Sequence, residues 1–69
     1  MKVYVFVWGD SDWGIYKGYV TTKKKAEKVR DILEDWAEWF EEFTVSGFNL
    51  ELSGIKNIEL KGGEIIVKK

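Results

Sequence analysis

Residues 2–8, Lys-Val-Tyr-Val-Phe-Val-Trp, constrain this chain more than any other segment. They combine β-branched and aromatic side chains and read as a strand. Successive side chains of a strand point to opposite faces, so Val3, Val5 and Val7 share one face while Tyr4, Phe6 and Trp8 share the other. Both faces are apolar, which places this strand at the centre of a sheet.

The remaining segments arrange themselves around it. Gly9, Asp10, Ser11, Asp12, Trp13 and Gly14 supply turn chemistry, and Ile15 to Val20 resumes strand composition, so the two strands form a hairpin with a loop of about four to six residues. Thr21 or Thr22 caps a helix that begins at Lys23 and is expected to run to about Phe43, because no Gly or Pro interrupts it. Ala26, Val29, Leu33, Trp36, Phe40 and Phe43 follow steps of three and four and form its core-facing stripe, with Ala37 beside them. Ile32 and Trp39 widen that stripe on one flank; Glu27, Asp31, Glu34, Asp35, Glu38 and Glu42 occupy the opposite side. Beyond it the period changes to two. Phe48, Leu50 and Leu52 alternate with Asn49 and Glu51 as a strand with one buried face. Ile58, Leu60, Gly62, Gly63, Ile65 and Val67 then predict a hairpin in which Leu60 faces Ile65, Ile58 faces Val67 and Lys61 faces Glu64. The expected architecture is α+β and two-layer: one amphipathic helix on an antiparallel sheet, element order ββαβββ, with residues 1–69 as a single domain.

The chain has 69 residues, of which 45% are hydrophobic and 33% charged, a mixture too apolar for disorder and too interrupted by charge for a membrane span. No uncharged stretch, Val3 to Gly9 included, comes near the roughly 20 residues that cross a bilayer. No signal-peptide pattern opens the chain. Without cysteine there is neither a disulfide framework nor a thiolate metal site, and a cytoplasmic setting is expected. His, Cys, Pro and Gln are all missing while Lys and Glu abound, a composition shared by hyperthermophile proteins and by designed scaffolds.

Candidate chemistry is sparse. With no His or Cys, the common general base and the strongest nucleophile are both missing, so no enzyme is expected and no catalytic residue is assigned. Asp10, Asp12 and Gly14 resemble the start of a calcium loop, but the glycine falls one place early and Thr21 stands where a bidentate Glu is required. The two aspartates are read as turn-stabilising residues, and no metal or cofactor is expected. Net charge is −1, so any nucleic-acid role needs a local patch; Lys23, Lys24, Lys25 and Lys28 at the helix start, with sheet aromatics as stacking platforms, provide the single-strand-binding alternative. The helix carries its lysines in the first turn and Glu38, Glu41 and Glu42 towards its expected end, against the preference of the helix dipole.

The run of a strand, an acidic-glycine turn, a strand and then Thr21, Thr22, Lys23, Lys24, Lys25, Ala26 and Glu27 resembles a pattern in small uncharacterised phage and prokaryotic α+β proteins. The resemblance covers roughly the first half and implies no activity. In size and composition the chain is also similar to a small archaeal inhibitor of the replication sliding clamp, which implies the kind of role a chain this small can fill.

Aromatic residues make up 16% of the chain, and one helix covers only one sheet face. If the helix lies on the valine face, Tyr4, Phe6 and Trp8 form an exposed patch of the kind that marks an interface. The expected function is therefore a non-enzymatic protein-interaction module, an inhibitor or adaptor, binding another protein or itself through Tyr4, Phe6, Trp8, Ile32 and Trp39, and not a membrane. A hyperstable or designed scaffold without a biological ligand is the other alternative.

Overall fold

The computed structural model describes residues 2–12, 14–46 and 54–67. The elements follow the order β1 (Lys2–Asp10), β2 (Gly14–Val20), α1 (Lys23–Trp36), β3 (Trp39–Ser46), β4 (Lys56–Lys61) and β5 (Glu64–Val67). One helix packs on a five-stranded sheet of order β3-β1-β2-β4-β5, an α+β fold. The sheet is mixed and not purely antiparallel, because β2 and β4 run parallel where Gly18 meets Lys56 and Tyr19 meets Asn57. A helix among the described residues long and apolar enough to cross a membrane is absent.

The local signals form as read. Thr22 caps α1, its hydroxyl accepting from the Lys25 amide at 3.2 Å. Gly62 and Gly63 have φ of 59° and 79°, the left-handed pair that a two-residue hairpin turn requires, and β4 and β5 pair Ile58 with Val67, Leu60 with Ile65 and Lys61 with Glu64. The first loop is tighter than expected, since Asp10 already pairs with Gly14 and the Asp10 carboxylate accepts from the Asp12 amide at 2.7 Å.

The helix departs from expectation: it ends at Trp36 and not near Phe43. Ala37 turns extended at ψ 143° while its amide still donates to the Leu33 carbonyl at 3.0 Å, and the Glu38 amide then donates to the Gly9 carbonyl at 3.1 Å. That bond carries the chain onto the free edge of β1. From there Trp39–Ser46 pairs antiparallel with β1 from Gly9 back to Lys2. A helix continued to Phe43 would leave one edge of an apolar central strand without partners for its amides and carbonyls, a larger penalty than the helix propensity of residues 37–43, favourable at Ala37, Glu38, Glu41 and Glu42 but weak at Trp39, Phe40 and Phe43, can offset. Glu38, Glu41 and Glu42 therefore do not crowd a helix C-terminus. The strand expected at 48–52 lies outside the described residues.

The core lies between α1 and the sheet. Phe6, Trp8, Val20, Ala26, Val29, Leu33 and Ile58 are buried, with Tyr4, Tyr16, Phe40, Leu60, Ile65 and Val67 packed around them. Trp8 stacks on Tyr16 across the β1–β2 pair, ring centroids 5.8 Å apart. The helix thus covers the Tyr4, Phe6 and Trp8 face. Its position is pinned by a bidentate pair in which the Arg30 guanidinium donates to both Glu42 carboxylate oxygens at 2.7 and 2.8 Å.

Candidate interaction surface

The face opposite α1 follows from strand alternation and register. Across β3, β1 and β2, one row holds Trp39, Gly9 and Ile15; the next holds Glu41, Val7 and Lys17; the next Phe43, Val5 and Tyr19. Val45 and Val3 follow. Ile15 is 67% exposed, Phe43 46%, Trp39 44% and Val45 39%, whereas Val3 and Val5 between them are buried. The free apolar surface is therefore an arc of large side chains on β3 and β2 around the half-buried Val7.

Gly9 shapes one end of it. A methyl group there would overlap the Trp39 indole, which lies across the glycine. Only a residue without a side chain lets that ring lie flat on β1, and the ring is nevertheless 44% exposed. Beside it the β1–β2 loop is tied to the start of β3: the Ser11 amide and hydroxyl both donate to the Glu38 carboxylate, at 3.1 and 2.5 Å. These bonds, the hydroxyl first, hold Glu38 below its ordinary value of 4.5. Because the folded carboxyl is the stronger acid, its contribution to stability is complete above the unfolded value and disappears as the pH falls through the folded one. In thermal melts, Glu38→Gln is expected to lower the melting temperature modestly above about pH 5 and to match the parent in more acidic solution. A gap between parent and variant that persists at acid pH would contradict this account.

Of the residues expected to bind, Phe6 and Trp8 are buried and Tyr4 is half-buried beneath the helix, so this trio is not an exposed patch. Ile32 and Trp39, expected side by side on a helix flank, are separated by the sheet. Ile32 remains on α1, where with Trp36, Gly63, Glu64 and Ile65 it lines a groove of about 310 Å³ against the β4–β5 turn. Trp39 belongs to β3 on the far face. Lys23, Lys24, Lys25 and Lys28 are all exposed on the helix layer. Trp39 and Phe43, the aromatic residues of the described strands exposed by more than a third, lie on the other side of the molecule from these four lysines. Phe43, Val45 and Ile15 were missed, although the alternation Trp39, Glu41, Phe43, Val45 carries a period of two that marks them as one strand face. Among the described residues no group of three or more Asp or Glu side chains is placed to hold a metal ion.

Comparison with protein-family models, with curated proteins and with solved structures finds no match for this chain.

Proposed function

We propose that this chain is a non-enzymatic protein-interaction module that acts through the helix-free face of its sheet, with Trp39, Phe43 and Ile15 as anchors. The observation that carries this reading is the exposed arc of large apolar side chains on that face. Such side chains clustered on one face of so small a domain are costly to leave in water and are typical of surfaces that associate. Aromatic rings supply large contact area at low conformational cost, and a flat sheet face holds them at fixed spacing. An adaptor or inhibitor needs nothing further than such a surface on a rigid support. A cytoplasmic setting accompanies the reading, supported by the complete lack of cysteine.

The test is site-specific photo-crosslinking. A benzophenone side chain placed at Phe43 is expected to yield discrete adducts in extract of the cells that produce the protein, whereas the same group at Glu34, exposed on α1, yields none. Equal or absent labelling at the two positions would overturn the proposal.

A further inference from the structure

Register places two opposite charges symmetrically about the centre of the helix-free face. In the row Glu41, Val7, Lys17, the carboxylate and the ammonium stand on strands either side of Val7, each about 5 Å away between backbones. Both are exposed, and they form no ion pair with each other. Large apolar side chains flank them on either side: Trp39 and Ile15 in the row towards Gly9, Phe43 and Tyr19 in the row towards Val5.

We propose that the occupant of this face is a second copy of the chain, packed sheet to sheet about a two-fold axis that runs parallel to β1 and passes over Val7. The inference rests on the reading of this face as an interaction surface. A half-turn about that axis exchanges the β3 side with the β2 side and preserves position along the strands. It sets Glu41 of each copy against Lys17 of the other, Trp39 against Ile15, Phe43 against Tyr19, and Val7 against its own equivalent. The alternative in-plane axis, perpendicular to the strands through Val7, sets Glu41 on Glu41 and Lys17 on Lys17, two like-charge contacts in a surface being desolvated. The charge pattern thus selects both the occupant and the axis. An unrelated partner would have no reason to require an acid and a base disposed evenly about an apolar centre.

Contact does not extend along the whole face, because Val3 and Val5 are buried and the Val5 row offers only its flanking side chains, Phe43 and Tyr19. Three strands by three rows span only about 10 by 13 Å between backbones, well under the area of a standard interface of roughly 800 Å² per partner. The dimer is therefore weak and concentration-dependent.

Sedimentation equilibrium of the intact chain up to about 1 mM tests this. The parent is expected to approach twice the monomer mass. Lys17→Glu and Glu41→Lys, each alone, create two like-charge contacts and are expected to associate at least roughly tenfold more weakly. An equimolar mixture of the two variants restores both pairs and is expected to dimerise, as is the chain carrying both substitutions. A monomeric parent would overturn the proposal, and so would charge reversals that leave the mass unchanged. Reversals that shift the melting temperature without changing association would instead identify an intramolecular contact across Val7, and would overturn it too. A monomeric parent whose Phe43 crosslinker captures a different protein rejects the second copy and leaves the interaction surface standing. A monomeric parent with no adduct at Phe43 rejects both.

Discussion

Phe6→Ala is expected to destabilise the protein by about 3–5 kcal/mol, whereas Phe43→Ala is expected to cost under about 1 kcal/mol. The two phenylalanines lie on neighbouring strands and differ in which face they occupy. Phe6 is fully buried in the cluster formed with Val29, Leu33 and Ile58, so truncation removes its transfer energy and leaves a cavity that the rigid sheet cannot close. Phe43 is 46% exposed on the helix-free face and leaves no cavity. For a domain of 69 residues, whose total stability by ordinary scaling is about 4–10 kcal/mol, the loss of Phe6 is a large fraction of the whole. Urea titration of both variants measures it. The opposite order of effects would mean that the helix covers the valine face. Association through Phe43 would appear as a concentration-dependent part of its small effect, so the titrations belong at low protein concentration.

Gly18→Ala is expected to cost about 1–3 kcal/mol, which for a domain of this size lowers the melting temperature by roughly 5–20 °C. A methyl group at Gly18 would overlap the Ile58 side chain, with Cδ1 at 2.8 Å, and press to within 3.4 Å of the Lys56 carbonyl oxygen. Ile58 is itself buried and its neighbour Lys56 is in register with Gly18, so the crowding has no exposed side chain to displace. The contact also joins two parts of the molecule: β4 meets β2 over Gly18–Lys56 and Tyr19–Asn57, and β5 is reached only through β4. Hydrogen exchange in the variant should therefore accelerate first in β4 and β5. The double-mutant cycle with Ile58→Ala is the decisive measurement. Ile58→Ala alone should cost about 2–5 kcal/mol, and in that background Gly18→Ala should cost close to nothing, giving a coupling comparable to its single effect. Additive effects would show that the glycine is needed for some reason other than the isoleucine.

The β4–β5 hairpin was legible to the residue pair, because a two-glycine turn admits one register and the alternation of Ile58, Leu60, Ile65 and Val67 agrees with it. The Thr22 cap, the alternation of β1 and the helical stripe Ala26, Val29 and Leu33 were legible for the same reason: each is decided within a few residues of backbone. The candidate surface was legible only in outline. An excess of aromatic side chains beyond what one helix can cover pointed to an exposed set, and Trp39 was among the residues named, but the set was placed on the wrong face.

One origin of that misplacement lies in residues 37–46. Trp36, Phe40 and Phe43 satisfy a helical period while Trp39, Glu41, Phe43 and Val45 satisfy a strand period, and neither Gly nor Pro separates the two readings. The local pattern was degenerate, so the outcome passed to partners distant in the chain: the unpaired edge of β1, which receives β3 through the Glu38–Gly9 bond, and the Arg30–Glu42 pair that orients β3 beneath the helix. The choice of sheet face is a second degeneracy, since β1 is apolar on both sides. It is resolved by its neighbours, because Gly18 on β2 leaves room for Ile58, and Val20 and Phe40 lie in line with the Tyr4, Phe6 and Trp8 side. What the chain encodes locally are its turns, its cap and the existence of a helix on a sheet, because short-range sterics and hydrogen bonding allow few alternatives there. Which residues face water was set by long-range pairing and packing, because a strand with two apolar faces and a segment with two periods each have more than one locally acceptable arrangement.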